Sequence, residues 1–347
     1  MTQPRTRGKA ADLAMKVRFL KRRTSYAERP KHVASIETHM SWVFLTDEHA
    51  YKLKKPVRQP FLDFSTIEAR RRNCALELRL NRRLAPDVYL GLVPMRIDRS
   101  GRLSLEGSGE IVDWLVRMRR LPAERTLDHA IERRTVRPAD LRRLAAALAR
   151  FYRTAPKASV SEGSYRRRFE ANIRINRSEL SKRRWRLPVE LVRTVTEAQL
   201  RFLRRTRLLN ARVRDRKIVE AHGDLRPEHV YLGAKPVITD CLEFNRAFRM
   251  LDPADELGYL AVECEMLGDA ATGRRIVERY EELSGDRPPN SLLRFYMSER
   301  ACLRAKLAIW HLKDRSLRHR GKWRRKALRY LRLACAYANA FAEAAPP

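Results

Sequence analysis

The sequence predicts an α+β protein with two lobes, a small β-rich lobe followed by a larger helical lobe. Short runs of strand-forming residues are concentrated in the first third of the chain. From about residue 127 onward, long segments repeat their apolar residues with helical periodicity. We therefore expect a basic N-terminal extension over residues 1–30, the β-rich lobe over residues 31–121 and the helical lobe over residues 122–347.

The β-rich lobe is predicted from runs of β-branched and aromatic residues that are separated by turn residues. The first three runs follow one another closely, which favours antiparallel strands joined by tight turns. A helix is expected after the third run, from Ser65, whose hydroxyl can cap it, to about Leu84. The five strand segments are residues 33–37, 42–46, 50–55, 87–98 and 110–121.

The helical lobe is predicted from segments in which apolar residues recur every three or four positions. The stretch from residue 217 to residue 244 interrupts these segments with two short apolar strands and their loops. The expected helical segments are residues 141–155, 164–186, 188–214, 255–267, 270–284, 290–313 and 321–343.

The 347-residue chain is strongly basic, with 75 lysines and arginines against 41 aspartates and glutamates and a formal net charge of +34. Such a surplus favours contact with polyanions. Arg, Trp and Tyr interleave in the basic helices, so weak polyanion binding is one interpretation and solvated helix faces are the other. The basic runs are residues 166–168, 182–186, 204–205, 214–217 and 318–333.

The cysteines and the apolar runs exclude several classes of protein. The five cysteines form neither a CxxC pair nor a zinc-ligand pattern, which indicates reduced thiols rather than a disulfide scaffold. No run approaches the ~18 apolar residues of a membrane-spanning helix. The basic N-terminus also lacks the apolar centre of a signal peptide. The expected compartment is therefore the cytoplasm.

The segment with the clearest chemical content is residues 222–229, HGDLRPEH, which precedes a second acid, Asp240, at the end of an apolar strand. Phosphoryl transfer requires a protein to position donor and acceptor and to neutralise charge on the phosphates. Asp224 suits the role of a base that orients an acceptor hydroxyl and takes its proton, and Arg226 is close enough to reach the transferred phosphate. Asp240 suits Mg²⁺, which takes one or two carboxylates together with phosphate oxygens.

These residues resemble the catalytic and metal-binding loops of the aminoglycoside phosphotransferase-like family, which has a protein-kinase-like fold and reads H-x-D-L-x-P-x-N before an apolar strand ending in Asp. Residues 37–57 and 251–268 also resemble uncharacterised bacterial phosphotransferase-like proteins often fused to a P-loop kinase domain, although no P-loop motif occurs here. The resemblance implies a kinase-like fold, ATP or another nucleoside triphosphate as donor, and Mg²⁺. It also implies that His222 holds the loop.

One position departs from the family pattern, because His229 stands where the resemblance implies a metal-binding Asn. Imidazole is a softer ligand than an amide oxygen, so Mn²⁺ becomes an alternative to Mg²⁺. Glu243, three residues after Asp240, is a candidate for a second carboxylate ligand. A competing interpretation is that His229 turns away from the metal and donates a hydrogen bond to a loop carbonyl.

The resemblance further implies a third-strand lysine that contacts the α- and β-phosphates and pairs with a helix glutamate. Lys52 and Lys54 lie on one face of that strand, and we prefer Lys54, with Lys52 as the alternative. Glu77 is the expected partner, with Glu68 as its competitor.

Two other segments are expected at the nucleotide. The turn with Thr38 and Ser41 stands where a phosphate-covering loop belongs, and its hydroxyl and backbone N–H groups can contact phosphate. Residues 116–121, which include Met118, stand where an adenine-binding connection belongs, with hydrogen bonds from the backbone.

The sequence therefore predicts a small-molecule kinase that moves the γ-phosphate of ATP to a hydroxyl group. Two alternatives stay open at this point. One is a catalytically weak kinase-like protein that binds a nucleotide or a polyanion, and the other is an enzyme that transfers AMP to a protein. The acceptor is not identified, because in this fold variable helices contact it.

Overall fold

The computed structural model of the chain describes residues 12–59, 62–204, 207–313 and 320–343. The chain forms two compact units. The first comprises the chain up to Ala123 together with the segment Ile238–Arg246, and the second comprises Glu124–Val237 and the chain from Ala247 onward. Asp240 and Glu243 therefore belong to the first unit, although they are far from its other residues in sequence.

The described part of the first unit contains an antiparallel sheet and a separate pair of very short strands. The strands are β1 (Ala34–Glu37), β2 (Ser41–Leu45), β3 (His49–Lys54), β4 (Arg58–Gln59), β5 (Leu62–Asp63), β6 (Tyr89–Ile97), β7 (Leu103–Ser104) and β8 (Glu110–Arg119). The sheet has six strands in the order β1-β2-β3-β8-β6-β7, and β4 pairs with β5. The five predicted strand segments are present, and β7 is an additional edge strand.

Side-chain alternation along β3 separates the core of the sheet from the face that carries charge. Tyr51 and Leu53 are buried in an apolar core that also contains Leu115 of β8. Lys52 and Lys54 alternate with them and therefore point to the opposite face. The sequence correctly predicts that both lysines share one face.

The segment predicted as a basic extension contains a helix that packs on the sheet. Helix α1 (Leu13–Leu20) begins after Asp12, whose carboxylate accepts a hydrogen bond of 2.6 Å from the backbone N–H of Met15. Leu20 is fully buried in the sheet core, and Lys16 forms a buried ion pair of 2.7 Å with Asp113 of β8. Residues 1–11 lie outside the described residues.

Helix α2 (Ile67–Asn81) is attached to the sheet by a buried ion pair. Its cap is Thr66, which accepts a hydrogen bond of 3.1 Å from the N–H of Ala69. The prediction of Ser65 as the cap is wrong, because Ser65 instead donates to the carboxylate of Asp63. Two bonds of 2.8 and 3.0 Å join Arg70 of α2 to Asp113. This pair fixes the helix that carries Glu77.

The second unit is mainly helical. Its helices are α3 (Leu127–Glu132), α4 (Pro138–Thr154), α5 (Glu162–Leu180), α6 (Val189–Arg204), α7 (Arg207–Arg214), α8 (Pro253–Met266), α9 (Ala270–Ser284), α10 (Asn290–Trp310) and α11 (Arg320–Glu343). Short strands follow α7, namely β9 (Val219–Glu220), β10 (Val230–Tyr231), β11 (Val237–Ile238) and β12 (Met250–Leu251). Strand β9 pairs with β12, and β10 pairs with β11. The helical segments and the short β insert match the predictions closely.

The boundaries of two predicted helical segments can be refined from the structure. The segment at residues 164–186 is helical only to Leu180 and then forms a 3-10 turn at Arg183–Trp185, after which Arg186 has a left-handed φ of +53°. The segment at residues 188–214 is described as two helices, with residues 205–206 outside the description.

Helix α8 is fixed in the second unit by buried arginines from neighbouring helices. Asp252 caps it by accepting a hydrogen bond of 3.0 Å from the N–H of Ala254. Arg212 of α7 donates two bonds of 2.7 Å to Asp252, and Arg300 of α10 donates bonds of 2.7 and 2.8 Å to Asp255. Such bidentate pairs restrict both position and rotation of the helix.

All five cysteines are free thiols and four of them are buried, as their pattern predicts. Within the described ranges, no helix has the length and apolar character needed to cross a membrane.

Candidate active site

The loop between β9 and β10 carries residues 222–229 and is held by helix α8. Gly223 has a φ of +90°, a left-handed conformation that glycine adopts without steric cost. The backbone N–H groups of His222 and Gly223 both donate to the carboxylate of Glu256, the former at 3.1 Å. The hydroxyl of Tyr152 donates to the same carboxylate at 2.8 Å. These bonds tie the loop to the interior of the second unit.

Glu256 and His222 are both fully buried beneath the loop. Burial raises the pKa of Glu256, and the backbone N–H groups of Gly223 and His222 oppose that rise because they favour the ionised carboxylate. The Nδ1 atom of His222 accepts a hydrogen bond of 3.3 Å from the N–H of Asp224. The ring of His222 therefore contacts the loop backbone, and its loop-holding role stays a prediction.

Asp224 is partly exposed on this loop, with 28% of its side chain accessible. The hydroxyl of Tyr259, on α8, donates a hydrogen bond of 3.1 Å to Oδ1 of Asp224. The Nε atom of Arg226 lies 3.2 Å from the same oxygen. The carboxylate is therefore oriented by one neutral donor and one cation.

Arg226 and His229 are joined to each other and to the loop. Nη2 of Arg226 lies 3.1 Å from Nε2 of His229, and Nη1 lies 2.8 Å from Oε1 of Glu228. Because a guanidinium only donates hydrogen bonds, Nε2 of His229 must accept this one. Nδ1 of His229 lies 2.9 Å from the backbone oxygen of Asp224 and must therefore carry the proton. Both ring nitrogens of His229 are therefore engaged in contacts within the loop.

A second cluster of charged residues lies within the first unit. Lys52 donates hydrogen bonds of 2.8 Å to both Glu77 and Asp240. Lys54 donates hydrogen bonds of 2.6 Å to both Glu77 and Glu243. The structure brings together the two candidate lysines, the preferred glutamate of α2 and two of the three candidate metal ligands. The competing glutamate, Glu68, is exposed on α2 away from this cluster.

Electrostatics hold the buried members of this cluster in their charged forms. Burial disfavours the charge on Glu77, but Lys52 and Lys54 outweigh it and keep the pKa of Glu77 below its usual value. Burial likewise opposes the charge on Lys52, but Asp240 and Glu77 outweigh it and raise the pKa of that lysine. The two ammonium groups face three carboxylates, so the cluster carries a net charge of about −1 and attracts a cation.

Asp240 is the most exposed member of the cluster, with 48% of its side chain accessible. Its φ of +61° is a left-handed conformation that is uncommon for residues other than glycine, asparagine and aspartate. The N–H of Asp240 donates to the hydroxyl of Tyr89 at 3.1 Å, and the N–H of Cys241 donates to Oδ1 of Asn81 at 2.9 Å. Backbone conformations of this kind cluster at functional sites.

The remaining predicted nucleotide contacts lie on the same sheet. Ser41 donates its N–H to Oγ1 of Thr38 at 2.9 Å, and Thr38 donates its N–H to the carbonyl of Ser41 at 2.8 Å. Both residues therefore close the turn between β1 and β2. Met118 lies in β8 opposite Ala50 of β3 and Tyr89 of β6, directly before the chain leaves the sheet.

Comparison with curated proteins gives relatives that are longer than this chain. No family model matches the chain. Uncharacterized proteins of Mycobacterium tuberculosis and Mycobacterium bovis are 32% identical to it over 278 residues, which are 78% of this chain and 53% of each relative. The chain thus spans about half the length of the curated relatives it matches. Their names state no activity.

Solved structures of small-molecule kinases share the fold. Choline kinase from Cryptosporidium parvum has a TM-score of 0.54 at 7% identity and covers 95% of either chain. A choline/ethanolamine kinase family protein from Mesorhizobium loti has a TM-score of 0.53 at 13% identity over 94% of this chain and 99% of that chain. The chain has a protein-kinase-like fold. A thermostable mutant of aminoglycoside phosphotransferase APH(4)-Ia agrees, with a TM-score of 0.51 at 12% identity over 89% and 94% of the two chains.

These similarities confirm the predicted fold class. At such low identities they concern the fold alone, and they assign neither a substrate nor a metal to this chain.

Several residues that the sequence does not single out support the candidate site within the kinase-like fold. On α8, Glu256 and Tyr259 lie three positions apart, so both project from one face of the helix towards the loop. In the first unit, Asn81 and Tyr89 hold the backbone around Asp240. The helical spacing on α8 is a visible signal, but the sequence does not indicate which loop that face contacts.

The basic runs that suggest polyanion binding are only partly described. Residues 182–186 form an exposed basic turn in which Trp185 is buried, as expected for a solvated helix face. The guanidinium of Arg184 lies 4.5 Å from the centre of the Trp185 ring. Residues 205, 318 and 319 lie outside the described residues.

Proposed function

We propose that this protein is an ATP-dependent phosphotransferase that moves the γ-phosphoryl group to a hydroxyl of a small molecule. The observation that carries the proposal is the contact of Lys52 with both Glu77 and Asp240. Phosphoryl transfer in kinase-like folds uses a strand lysine paired with a helix glutamate, together with an aspartate for the metal. The solved structures that share the fold include choline kinase and aminoglycoside phosphotransferase, which supports a small-molecule acceptor.

Lys52 is the better candidate for the phosphate contact, although the sequence favours Lys54. The side chain of Lys52 is 14% exposed and is bonded to the accessible carboxylate of Asp240. Lys54 is 1% exposed and lies between the buried carboxylates of Glu77 and Glu243. A lysine that must reach a phosphate needs an accessible ammonium group, so we assign Lys54 to the structural part of the cluster.

The accessible carboxylate of Asp240 and the charged side chains around it suit Mg²⁺. Mg²⁺ takes one or two carboxylates and completes its shell with substrate phosphates and water, so a single accessible carboxylate beside a net negative cluster fits it. Across the described ranges, no group of three or more His, Cys, Asp and Glu side chains is arranged to hold a metal by itself. When bound, Mg²⁺ neutralises charge on the phosphates. Glu243 is bonded to Lys54 and His229 to its own loop, so Asp240 is the assigned ligand.

Asp224 is assigned as the general base. In the proposed reaction the acceptor oxygen bonds to the γ-phosphorus, and the bond from that phosphorus to the β–γ bridging oxygen breaks. ADP leaves with the electron pair, and the hydroxyl proton goes to the Asp224 carboxylate and then to water. Tyr259 and Arg226 keep the carboxylate oriented, and Arg226 adds positive charge that stabilises the transferring group.

One observation favours the alternative of a nucleotide-binding protein with little catalysis. His229 occupies the position of a metal-binding Asn, yet both of its ring nitrogens are engaged in the loop. A protein without that second ligand can still bind ATP through Lys52 and Asp240. Tight ATP binding without turnover is the result expected from this alternative.

The decisive experiment uses ATP labelled at either the γ- or the α-phosphate, with a panel of hydroxyl compounds and Mg²⁺. Transfer of the γ-label that is lost in Asp224→Asn supports the proposed function. Transfer of the α-label to a protein identifies an AMP transferase instead. ATP binding without transfer of either label to any acceptor identifies a nucleotide-binding protein.

A further inference from the structure

Beside Asp224, helices α8, α10 and α11 assemble a group of cations and aromatic residues. Arg304 of α10 donates bonds of 2.9 and 3.2 Å to the carboxylate of Glu263 on α8. Tyr330 of α11 donates to the same carboxylate at 2.8 Å, and the guanidinium of Arg304 lies 5.6 Å from the centre of the Tyr330 ring. Glu263 is one helical turn after Tyr259, which bonds Asp224. The group is therefore continuous with the proposed general base.

Arg304 keeps hydrogen-bonding capacity after pairing with Glu263. A guanidinium has five N–H donors, and this pair uses the donors of Nε and Nη2. No bond from Nη1 reaches another residue in the described part of the chain. The side chain is 14% exposed, so an incoming group can reach it.

Lys326 adds a second cation to this group. It lies one turn before Tyr330 on α11 and therefore on the same helix face. Its side chain is half-buried, and its ammonium group lies 5.8 Å from the centre of the Trp323 ring. It forms no ion pair with any residue that the structure describes. Burial and the charge of Arg304 lower the pKa of Lys326, as expected for a lysine without a bound counter-charge.

Glu263 and Glu228 raise the pKa of Lys326, but burial and the charge of Arg304 outweigh them. Glu263 already accepts bonds from Arg304 and Tyr330, and Glu228 is bonded to Arg226 at 2.8 Å. The ammonium group of Lys326 is half-buried, and the guanidinium of Arg304 keeps N–H donors that its pair with Glu263 does not use. An anion suits these two groups, because charge-assisted hydrogen bonds to it would offset the cost of burying the ammonium group. A cationic acceptor would meet repulsion here.

We infer that the acceptor carries a carboxylate or phosphate-ester group, which binds Lys326 and Arg304 and so presents its hydroxyl to Asp224. This inference rests on the proposed function, because only a phosphotransferase has an acceptor. Anion binding at Lys326 and Arg304 does not itself depend on turnover. The substrate class is thus an anionic alcohol rather than an ammonium-bearing one.

The test is calorimetric titration of the full chain with inorganic phosphate, citrate and choline as probes. We expect phosphate or citrate to bind the wild type and choline not to bind. Lys326→Ala should weaken that binding about tenfold, in line with the loss of one charge-assisted hydrogen bond. Arg324→Ala removes an exposed cation from the opposite side of α11 and should leave the affinity unchanged. Binding of phosphate alone points to a phosphate ester, and binding of citrate alone points to a carboxylate.

Two further variants distinguish an anion site at Lys326 from a folding defect and from anion binding in the first unit. Lys326→Gln keeps most of the side-chain stem, so the same loss in this variant, with an unchanged melting temperature, excludes a folding defect. Anion binding that is lost in Lys52→Ala and kept in Lys326→Gln would overturn the inference, because it would move the anion to the first unit. Equal affinity in wild type and Lys326→Gln, or preferential binding of choline, would also overturn it. Because these titrations use no ATP, they measure the affinity for the anion even if the protein transfers no phosphoryl group.

Discussion

The phenolic oxygen of Tyr259 lies 3.1 Å from Oδ1 of Asp224 and donates a hydrogen bond to it. Tyr259 is almost fully buried, and burial raises its pKa well above the usual value, so the hydroxyl keeps its proton. The guanidinium of Arg300 lies 5.2 Å from the centre of its ring. The direction of the Asp224 carboxylate is therefore set by a rigid helix rather than by its own loop alone.

The first prediction concerns this hydrogen bond. Tyr259→Phe should lower kcat about fivefold and leave the affinity for ATP unchanged, because one orienting bond of roughly 1 kcal/mol is lost while the base remains. Asp224→Asn should lower kcat by about 10²–10⁴, the usual contribution of a general base. Tyr337→Phe is the matched control, since its hydroxyl bonds Glu265 instead. Equal turnover in Tyr259→Phe and wild type would show that the bond has no positioning role.

The sequence predicts the local parts of the site better than their assembly. Alternation along β3 correctly places Lys52 and Lys54 on one face, because the strand period of two fixes side-chain direction. Which lysine is accessible depends on Glu243 and Asp240, which return to the first unit after a long excursion of the chain. Contacts between residues so far apart in the chain leave no local pattern in the sequence.

The helix ends and the supporting residues illustrate the same limit. Ser65 and Thr66 are both ordinary caps, and the choice of Thr66 follows from the bonds that Asp63 makes with Ser65. The role of Tyr259 follows from packing of α8 beneath the loop. Apolar periodicity identifies α8 as a helix but does not indicate its neighbours.

The second prediction separates the two lysines of β3. Lys52→Met should weaken ATP binding and lower turnover, with a smaller loss of stability than Lys54→Met, because its side chain is partly exposed. Lys54→Met should cost about 3–5 kcal/mol of unfolding free energy, since it removes the ammonium group that contacts both buried carboxylates, Glu77 and Glu243. Chemical denaturation and nucleotide titration of both variants measure the two effects. A destabilised Lys52→Met beside a stable Lys54→Met would reverse our assignment.

The third prediction is a pH dependence of stability that comes from Glu77. Its pKa in the folded protein lies below the ordinary value of 4.5, chiefly because Lys52 and Lys54 outweigh the effect of burial. A depressed pKa means that the stabilisation is present above pH 4.5 and is lost as the pH falls through the folded value. Glu77→Gln should therefore be less stable at pH 7 and lose less stability on acidification. Glu68→Gln, exposed on the same helix, should keep the wild-type profile.

The fourth prediction tests Asp240 as the metal ligand. Asp240→Asn should reduce the Mg²⁺-dependent part of ATP affinity and leave the metal-free affinity nearly unchanged, because a neutral amide is a weaker ligand for a hard cation. Asparagine also tolerates the left-handed φ of +61°, so the backbone is kept. The measurement is ATP titration with and without Mg²⁺, with thermal unfolding as the folding control. An identical Mg²⁺ effect in variant and wild type would remove Asp240 from the metal site.

The last prediction concerns His229, for which the two interpretations of the sequence have opposite consequences. As a metal ligand it favours Mn²⁺ over Mg²⁺, and His229→Asn should then keep or raise activity with Mg²⁺. In the structure its Nδ1 faces the Asp224 carbonyl at 2.9 Å and its Nε2 faces Arg226 at 3.1 Å. That geometry favours a positioning role, because the imidazole links the loop backbone to the arginine that contacts Asp224.

A positioning role requires His229 to contact both the Asp224 carbonyl and Arg226 at the same time. Asn approximates the Nδ1 position and Gln approximates the Nε2 position, so each substitution keeps one bond and loses the other. We expect both His229→Asn and His229→Gln to lower kcat severalfold, equally with Mg²⁺ and Mn²⁺, with no change in metal-dependent ATP affinity. Turnover and ATP titration with each metal decide between the interpretations. Higher Mg²⁺ activity in His229→Asn, together with a lost preference for Mn²⁺, would instead identify His229 as a ligand that rotates towards the metal when nucleotide binds.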